Sequence, residues 1–167
     1  MTQTLTNPMT ALRTLVANSA SFRTLVGAAD ATAALAYIHR VGVDPDANKS
    51  LAGLRPFALV AYHVPLDLDD EAQFGGDGNT YVDKGKLGLW FQVDVASGDA
   101  SDHEDAEISF LNTIGDIVAE MEALAGRDEY LNITLLRGSD GPTRSSRQEK
   151  TLTEDYYQIG FDVEWGP

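Results

Sequence analysis

From Tyr157 to Trp165 every second residue is large and apolar: Tyr157, Ile159, Phe161, Val163 and Trp165. Between them stand Gln158, Gly160, Asp162 and Glu164. Alternation with a period of two predicts a half-buried strand with one face on a core. Leu87, Leu89, Phe91, Val93 and Val95 alternate in the same way, and Gly88, Trp90, Gln92 and Asp94 form the opposite face. Behind Pro56, the run Phe57-Ala-Leu-Val-Ala-Tyr62 has no polar position, which predicts a central strand covered on both sides. Leu131, Ile133 and Leu135 complete a set of four strands.

Other stretches follow a helical period. Asn7-Pro8 reads as an N-cap followed by proline at the first helical position, where the missing N–H costs nothing. Leu12, Leu15 and Val16, then Phe22, Leu25 and Val26 beyond Asn18-Ser19, form its apolar stripe. Asp30 is the expected cap of a second, alanine-rich helix running to about Arg40, with Leu35 and Ile38 buried and Gly42 as its stop. A long helix is predicted from about Asp102 to Ala125. Ser101 is its N-cap, acids fill its first turn, and Ile108, Leu111, Ile114, Val118, Met121 and Ala125 recur on one side, widened by Phe110, Ile117 and Leu124.

The order helix, helix, strand, strand, helix, strand, strand predicts an α+β fold. The expected form is a mostly antiparallel four-stranded sheet of two hairpins, with the long helix between them and the N-terminal helix pair packed on it. A chain of 167 residues is read as a single domain spanning residues 1–167. Two long polar loops, residues 65–84 and 138–151, each join the strands of a predicted hairpin. Loops of that length without their own structure usually carry function or are disordered.

Charge narrows the function. Twenty-six acids against twelve bases give a net charge of −14. A nucleic-acid binder gains its affinity by neutralising phosphates, so this balance argues against one, and against docking on anionic lipid. Between Asp67 and Glu129 the only bases are Lys84, Lys86 and Arg127, whereas Arg137, Arg144, Arg147 and Lys150 follow close together. One loop is therefore acidic and the other moderately basic, which suits head-to-tail contact between copies of the chain. The residues expected to carry that contact are Asp67, Asp69, Asp70 and Glu71 on the acidic side, and Arg144, Arg147 and Lys150 on the basic side.

Catalytic signatures do not emerge. There is no cysteine, and His39, His63 and His103 match no metal-ligand spacing. The cluster Asp67-Leu-Asp69-Asp70-Glu71 invites a calcium site, but Ala72 stands where an EF-hand loop needs glycine and Gly78 where it needs the bidentate glutamate. Gly75-Gly76-Asp77-Gly78 lacks the spacing of a dinucleotide fingerprint, and no phosphate-binding loop or nucleophile elbow is present. The expectation is a protein that is not an enzyme and carries no metal or cofactor. The alternative is a stand-alone acidic module that binds a ligand or calcium. The opening residues have neither a basic stretch nor an apolar one, and no run approaches a membrane span, so the chain is expected to stay where it is made.

Several segments carry a family likeness. These are Leu12-Arg-Thr-Leu-Val-Ala17 with Phe22, then Ala34-Leu-Ala-Tyr-Ile-His39, then Arg55-Pro-Phe-Ala-Leu-Val60. The second half adds Phe110-Leu-Asn-Thr-Ile-Gly-Asp-Ile117, Tyr130-Leu-Asn-Ile-Thr134 and the strand Asp155 to Gly166. In element order over nearly the whole chain this resembles the small virion proteins of tailed bacteriophages, most closely the tail-terminator and tail-completion group. The resemblance implies an antiparallel sheet flanked by helices, and assembly as a ring, commonly of six subunits. Such a ring caps the tail tube and joins the head connector. It also implies residence in the virion, and in the host cytoplasm during assembly. DNA would pass through the lumen without specific binding, and like charge along the channel would keep its phosphates from sticking. The N-terminal helix pair is an addition to that pattern, and would also suit another component of the neck.

Overall fold

The helical stretch that begins at the N-terminal end is cut in two at Ser19. Helix α1, Thr6–Asn18, ends there, and α2, Ala20–Val26, begins with Ser19 as its N-cap. The Ser19 backbone is extended and its hydroxyl accepts from the Phe22 N–H at 3.0 Å, which satisfies one orphan donor of the new helix. Gly27 closes α2 in the left-handed conformation, at φ 70°. Residues 6–40, 53–62, 85–94, 100–125, 134–135, 137–138, 141–142, 145–150 and 155–165 are described by this computed structural model.

The expected second helix is largely absent. Asp30 caps a single turn, α3, Ala31–Ala34, by accepting from the Ala33 N–H at 2.8 Å. A 3-10 turn over Leu35–Tyr37 follows, and Ile38–Arg40 is strand β1. Alanine favours helix, but Leu35 finds only partial burial there. Ile38 is buried almost completely as a strand residue paired with Ala58. Tertiary packing overrides local propensity at this point.

Strand β2, Phe57–Tyr62, runs parallel to β1. It pairs antiparallel with β3, Gly85–Asp94. Helix α4, Ala100–Leu124, follows β3. The short strands β4, Thr134–Leu135, β5, Arg137–Gly138, and β6, Gly141–Pro142, come next. Then come β7, Ser145–Lys150, and β8, Asp155–Trp165. Six strands form one sheet in the order β1-β2-β3-β8-β4, and β7 shares the β4 side of β8; β5 and β6 pair separately. The fold is therefore α+β, but the sheet is mixed and not the mostly antiparallel four-stranded sheet predicted. The parallel member is β1, whose sequence reads locally as the end of a helix. The polar segment expected to be a loop over 138–151 also contains β7, which pairs with Asp155–Gly160. Its residues, Ser-Ser-Arg-Gln-Glu-Lys, alternate no apolar face, so hydrophobic periodicity gives no signal for it.

One side of the sheet carries the core. Leu87, Leu89 and Phe91 of β3 and Tyr157, Ile159, Phe161 and Val163 of β8 join Ala58 and Val60 of β2 in one cluster with the helices. α1 packs on β2 and α4, and α2 packs on α4. Rings run through this layer: Phe22 lies 6.0 Å from Phe91, and Phe91 lies 6.2 Å from Phe161. Phe110 of α4 stacks at 6.3 Å on Tyr157, whose hydroxyl donates to the His103 carbonyl at 3.0 Å. The buried stripe of α4 is Phe110, Ile114, Ile117 and Met121. The expected stripe is thus rotated, because Ile108 is 48% exposed and Leu111 and Val118 are only half-buried.

The helix layer is locked to itself by one carboxylate. Glu120 of α4 accepts from the Ser19 hydroxyl at 2.7 Å, from the Ser21 hydroxyl at 2.8 Å and from the Ser21 N–H at 3.1 Å. A carboxylate at the first turn of α2 satisfies the exposed donors there. Burial pushes the Glu120 pKa up, but these hydrogen bonds outweigh it and hold the group below the ordinary glutamate value.

Candidate functional site

The other side of the sheet is built differently. The alternation that sends Leu89, Phe91, Ile159 and Phe161 to the helices sends Trp90, Gln92, Tyr156, Gln158 and Gly160 the opposite way. Register puts Gln92 opposite Gln158, Trp90 opposite Gly160 and Asp94 opposite Tyr156. Across the other edge of β3, Gln92 faces Phe57 and Trp90 faces Leu59. The result is a lane of polar and aromatic groups crossing β1, β2, β3 and β8.

Arg55, just ahead of β2, organises this lane. Its side chain is only 5% exposed. The Nε donates to Gln92 Oε1 at 3.3 Å, and Nη1 lies 3.2 Å from Asp94 Oδ1. The guanidinium sits 4.3 Å from the centre of the Tyr156 ring, a cation–π distance. Gln92, itself buried, passes the network on by donating from Nε2 to Gln158 Oε1. A buried amide needs partners for both of its ends, and Gln92 has one at each. The Asp94 carboxylate is 65% exposed, so the network reaches water at that end.

The apolar part of the lane is Phe57 and Leu59, both buried, with Trp90 half-buried beside them. The Trp90 ring lies over Gly88: a Cβ on that glycine would meet the ring at 2.1 Å. The close approach of the indole is why residue 88 has no side chain. At the far edge, His39 meets the Phe57 ring edge-on at 5.5 Å. Burial, and then the positive charge of Arg13, hold its pKa below the usual histidine value. Arg13 donates to the Leu35 carbonyl at 3.2 Å, and Arg40 to the Thr10 hydroxyl at 3.4 Å, so this corner is basic within an acidic protein.

Of the residues expected to form contacts, Arg147 and Lys150 lie in β7, at register with Gln158 and Asp155. Arg147 therefore shares a register line with Gln158 and Gln92. Asp67, Asp69, Asp70, Glu71 and Arg144 lie outside the described residues, as does His63. His39, expected at a helix end, is a strand residue instead. Among the described residues no group of three or more His, Asp or Glu is placed to hold a metal ion. No helix among them is long and apolar enough to cross a membrane.

Sequence reasoning missed Arg55, Gln158 and Tyr156 as members of one site. The signal was the second face of the alternating strands, where Trp and Gln replace the usual charged residues. Trp90 and Tyr156, the half-buried members of the lane, are of residue types enriched in protein–protein contacts, whereas the Arg55 side chain is buried behind them. Comparison with protein-family models and with curated protein sequences gives no match.

Proposed function

We propose that this protein works by assembly: it is a structural subunit of a phage-like particle, of the tail-terminator or head–tail joining kind that its element order resembles. The observation that carries this reading is that, among the described residues, both end strands of the sheet have an unpaired outer side: no strand pairs with the outer side of β1, and none with the outer side of β7. Unpaired strand edges are templates for another chain, and proteins that keep them open without purpose risk aggregation. Contact between the β1 end of one copy and the β7 end of the next is heterologous, and it closes into a ring if the rotation permits. The Arg55–Trp90–Tyr156 lane runs between those two ends and offers side-chain anchors alongside the backbone edges. The net charge of −14 then serves a channel through which DNA passes without binding.

Sedimentation velocity over a wide concentration range, with the protein alone and with the cognate tube protein, tests the proposal. The expected species is a defined multiple of the 18.0 kDa subunit, visible as rings by negative-stain microscopy. A strict monomer under both conditions removes it.

A further inference from the structure

Helix α4 has a second line besides the buried one, in which Ile108 is exposed while Leu111 and Val118 are half-buried against the edge of the core. Glu104, Ile108, Leu111, Gly115, Val118 and Glu122 follow each other at intervals of four and three residues, the spacing of a coiled-coil seam. The seam is about 27 Å long at 1.5 Å per residue. Ile108 is 48% exposed, and an open cleft is lined by Ile108, Leu111, Asn112, Gly115 and Asp116. Gly115 sits at its middle. A Cβ there would meet nothing within 4 Å, so the chain's own packing does not require glycine. Glycine in a helix interior costs about 1 kcal/mol relative to alanine. The missing side chain leaves open space at the centre of this cleft.

We infer that this outer seam of α4 is a docking site for a cationic amphipathic helix of a partner protein. Charge selects that occupant. Every charged residue of α4 other than His103 is acidic, and the seam is bordered by the exposed Glu107 on one flank and Asp105 and Asp116 on the other. A helix with Leu or Ile on its seam and Lys or Arg beside it would bury Ile108 and place its cations against those carboxylates. A second copy of α4 fits worse: laid antiparallel about the seam's centre, it sets Glu104 against Glu122 at both ends.

The probe is a synthetic 21-residue helix with Leu at its seam positions and Lys at the flanks, labelled for fluorescence anisotropy and used at 150 mM salt. A twin peptide has Glu in place of Lys. The Lys peptide is expected to bind and the Glu peptide not to. Ile108→Glu should weaken binding by about tenfold or more although it adds negative charge, and Gly115→Leu should do the same by filling the gap. Both positions are open to solvent, and circular dichroism checks that each variant folds. If either fails to fold, Asp116→Lys should still weaken binding several-fold. Undiminished or tighter binding to Ile108→Glu would show plain charge attraction and overturn the inference. So would equal binding of the two peptides, or a dimer of the protein alone that Ile108→Glu abolishes. The experiment reads a helix surface and not the sheet edges, so its failure leaves the ring proposal standing.

Discussion

The two faces of the sheet are made from alternate residues of the same strands, yet they are held by different physics. On the helix side, Leu89, Phe91, Ile159 and Phe161 are packed against rings and aliphatic chains from four helices. On the opposite side, open at Trp90, Tyr156, Gln158 and Asp94, the buried Arg55 and Gln92 and their neighbours Gln158 and Tyr156 are held by directed contacts between polar groups. The first kind of face is strong and indifferent to small changes of angle. The second is weaker but specific, because each buried polar atom is costly only when its partner is removed.

The largest effect should come from the helix side. Phe91 is fully buried and touches Phe22 and Phe161, so Phe91→Ala removes an aromatic link between α2 and β8. A loss of about 3–5 kcal/mol is expected. For a domain of this size that lowers Tm by roughly 10 °C or more. Calorimetry decides it: a drop of only a degree or two would mean that the helix layer is not the main core.

The open face should respond less, and unequally. Arg55→Met keeps the bulk but strips the donor from the buried Gln92 carbonyl, for an expected cost of about 1–3 kcal/mol. Asp94→Ala removes only an exposed ion-pair partner, for about 0–1 kcal/mol. Urea unfolding of both variants separates the cases. Equal losses would mean that the ion pair, and not the amide network, fixes Arg55.

Gly88→Ala sharpens the comparison at one point. The new methyl group must displace the Trp90 ring, which is half-buried and has room to swing outward. The expected cost is about 1 kcal/mol. In a Trp165→Phe background, tryptophan emission should move to the red and acrylamide quenching should rise. Unchanged emission would show that the ring does not rest on the glycine.

What the sequence reveals follows the same division. The helix face was legible because hydrophobic alternation in β3 and β8 is a direct record of burial, and the termini of β2 were marked by Pro56 and the polar stretch beyond it. Asp30 declared itself as a cap through its side chain, whereas the cap at Ser19 was not recognised because the apolar stripe continues past it. β1 was hidden because three residues carry no period and its pairing partner lies some twenty positions downstream. β7 was hidden because both of its faces are polar. The open-face lane could not be read because Arg55, Gln92 and Gln158 meet through register, and register is set by the whole sheet.

Acid should take the two faces apart in sequence, and here the effects are smallest. Glu120, in the helix layer, has its folded-state pKa depressed, so the stability it contributes is present above its unfolded value and lost as pH falls through the folded one. Glu120→Gln should therefore lower Tm at pH 7, and the difference from the parent should shrink as pH falls through the depressed folded-state pKa. His39, on the open face, also has a depressed pKa, but it is a base. The unfolded chain takes up its proton first as pH drops below about 6.5, so the folded state loses stability from there down to the folded-state pKa. In His39→Gln that portion of the Tm–pH profile should flatten, while the later, carboxylate-driven loss remains. Parallel profiles for His39→Gln and the parent between pH 7.5 and 5.5 would mean that burial and the charge of Arg13 do not hold the imidazole neutral. The early part of the acid response would then come from groups other than His39.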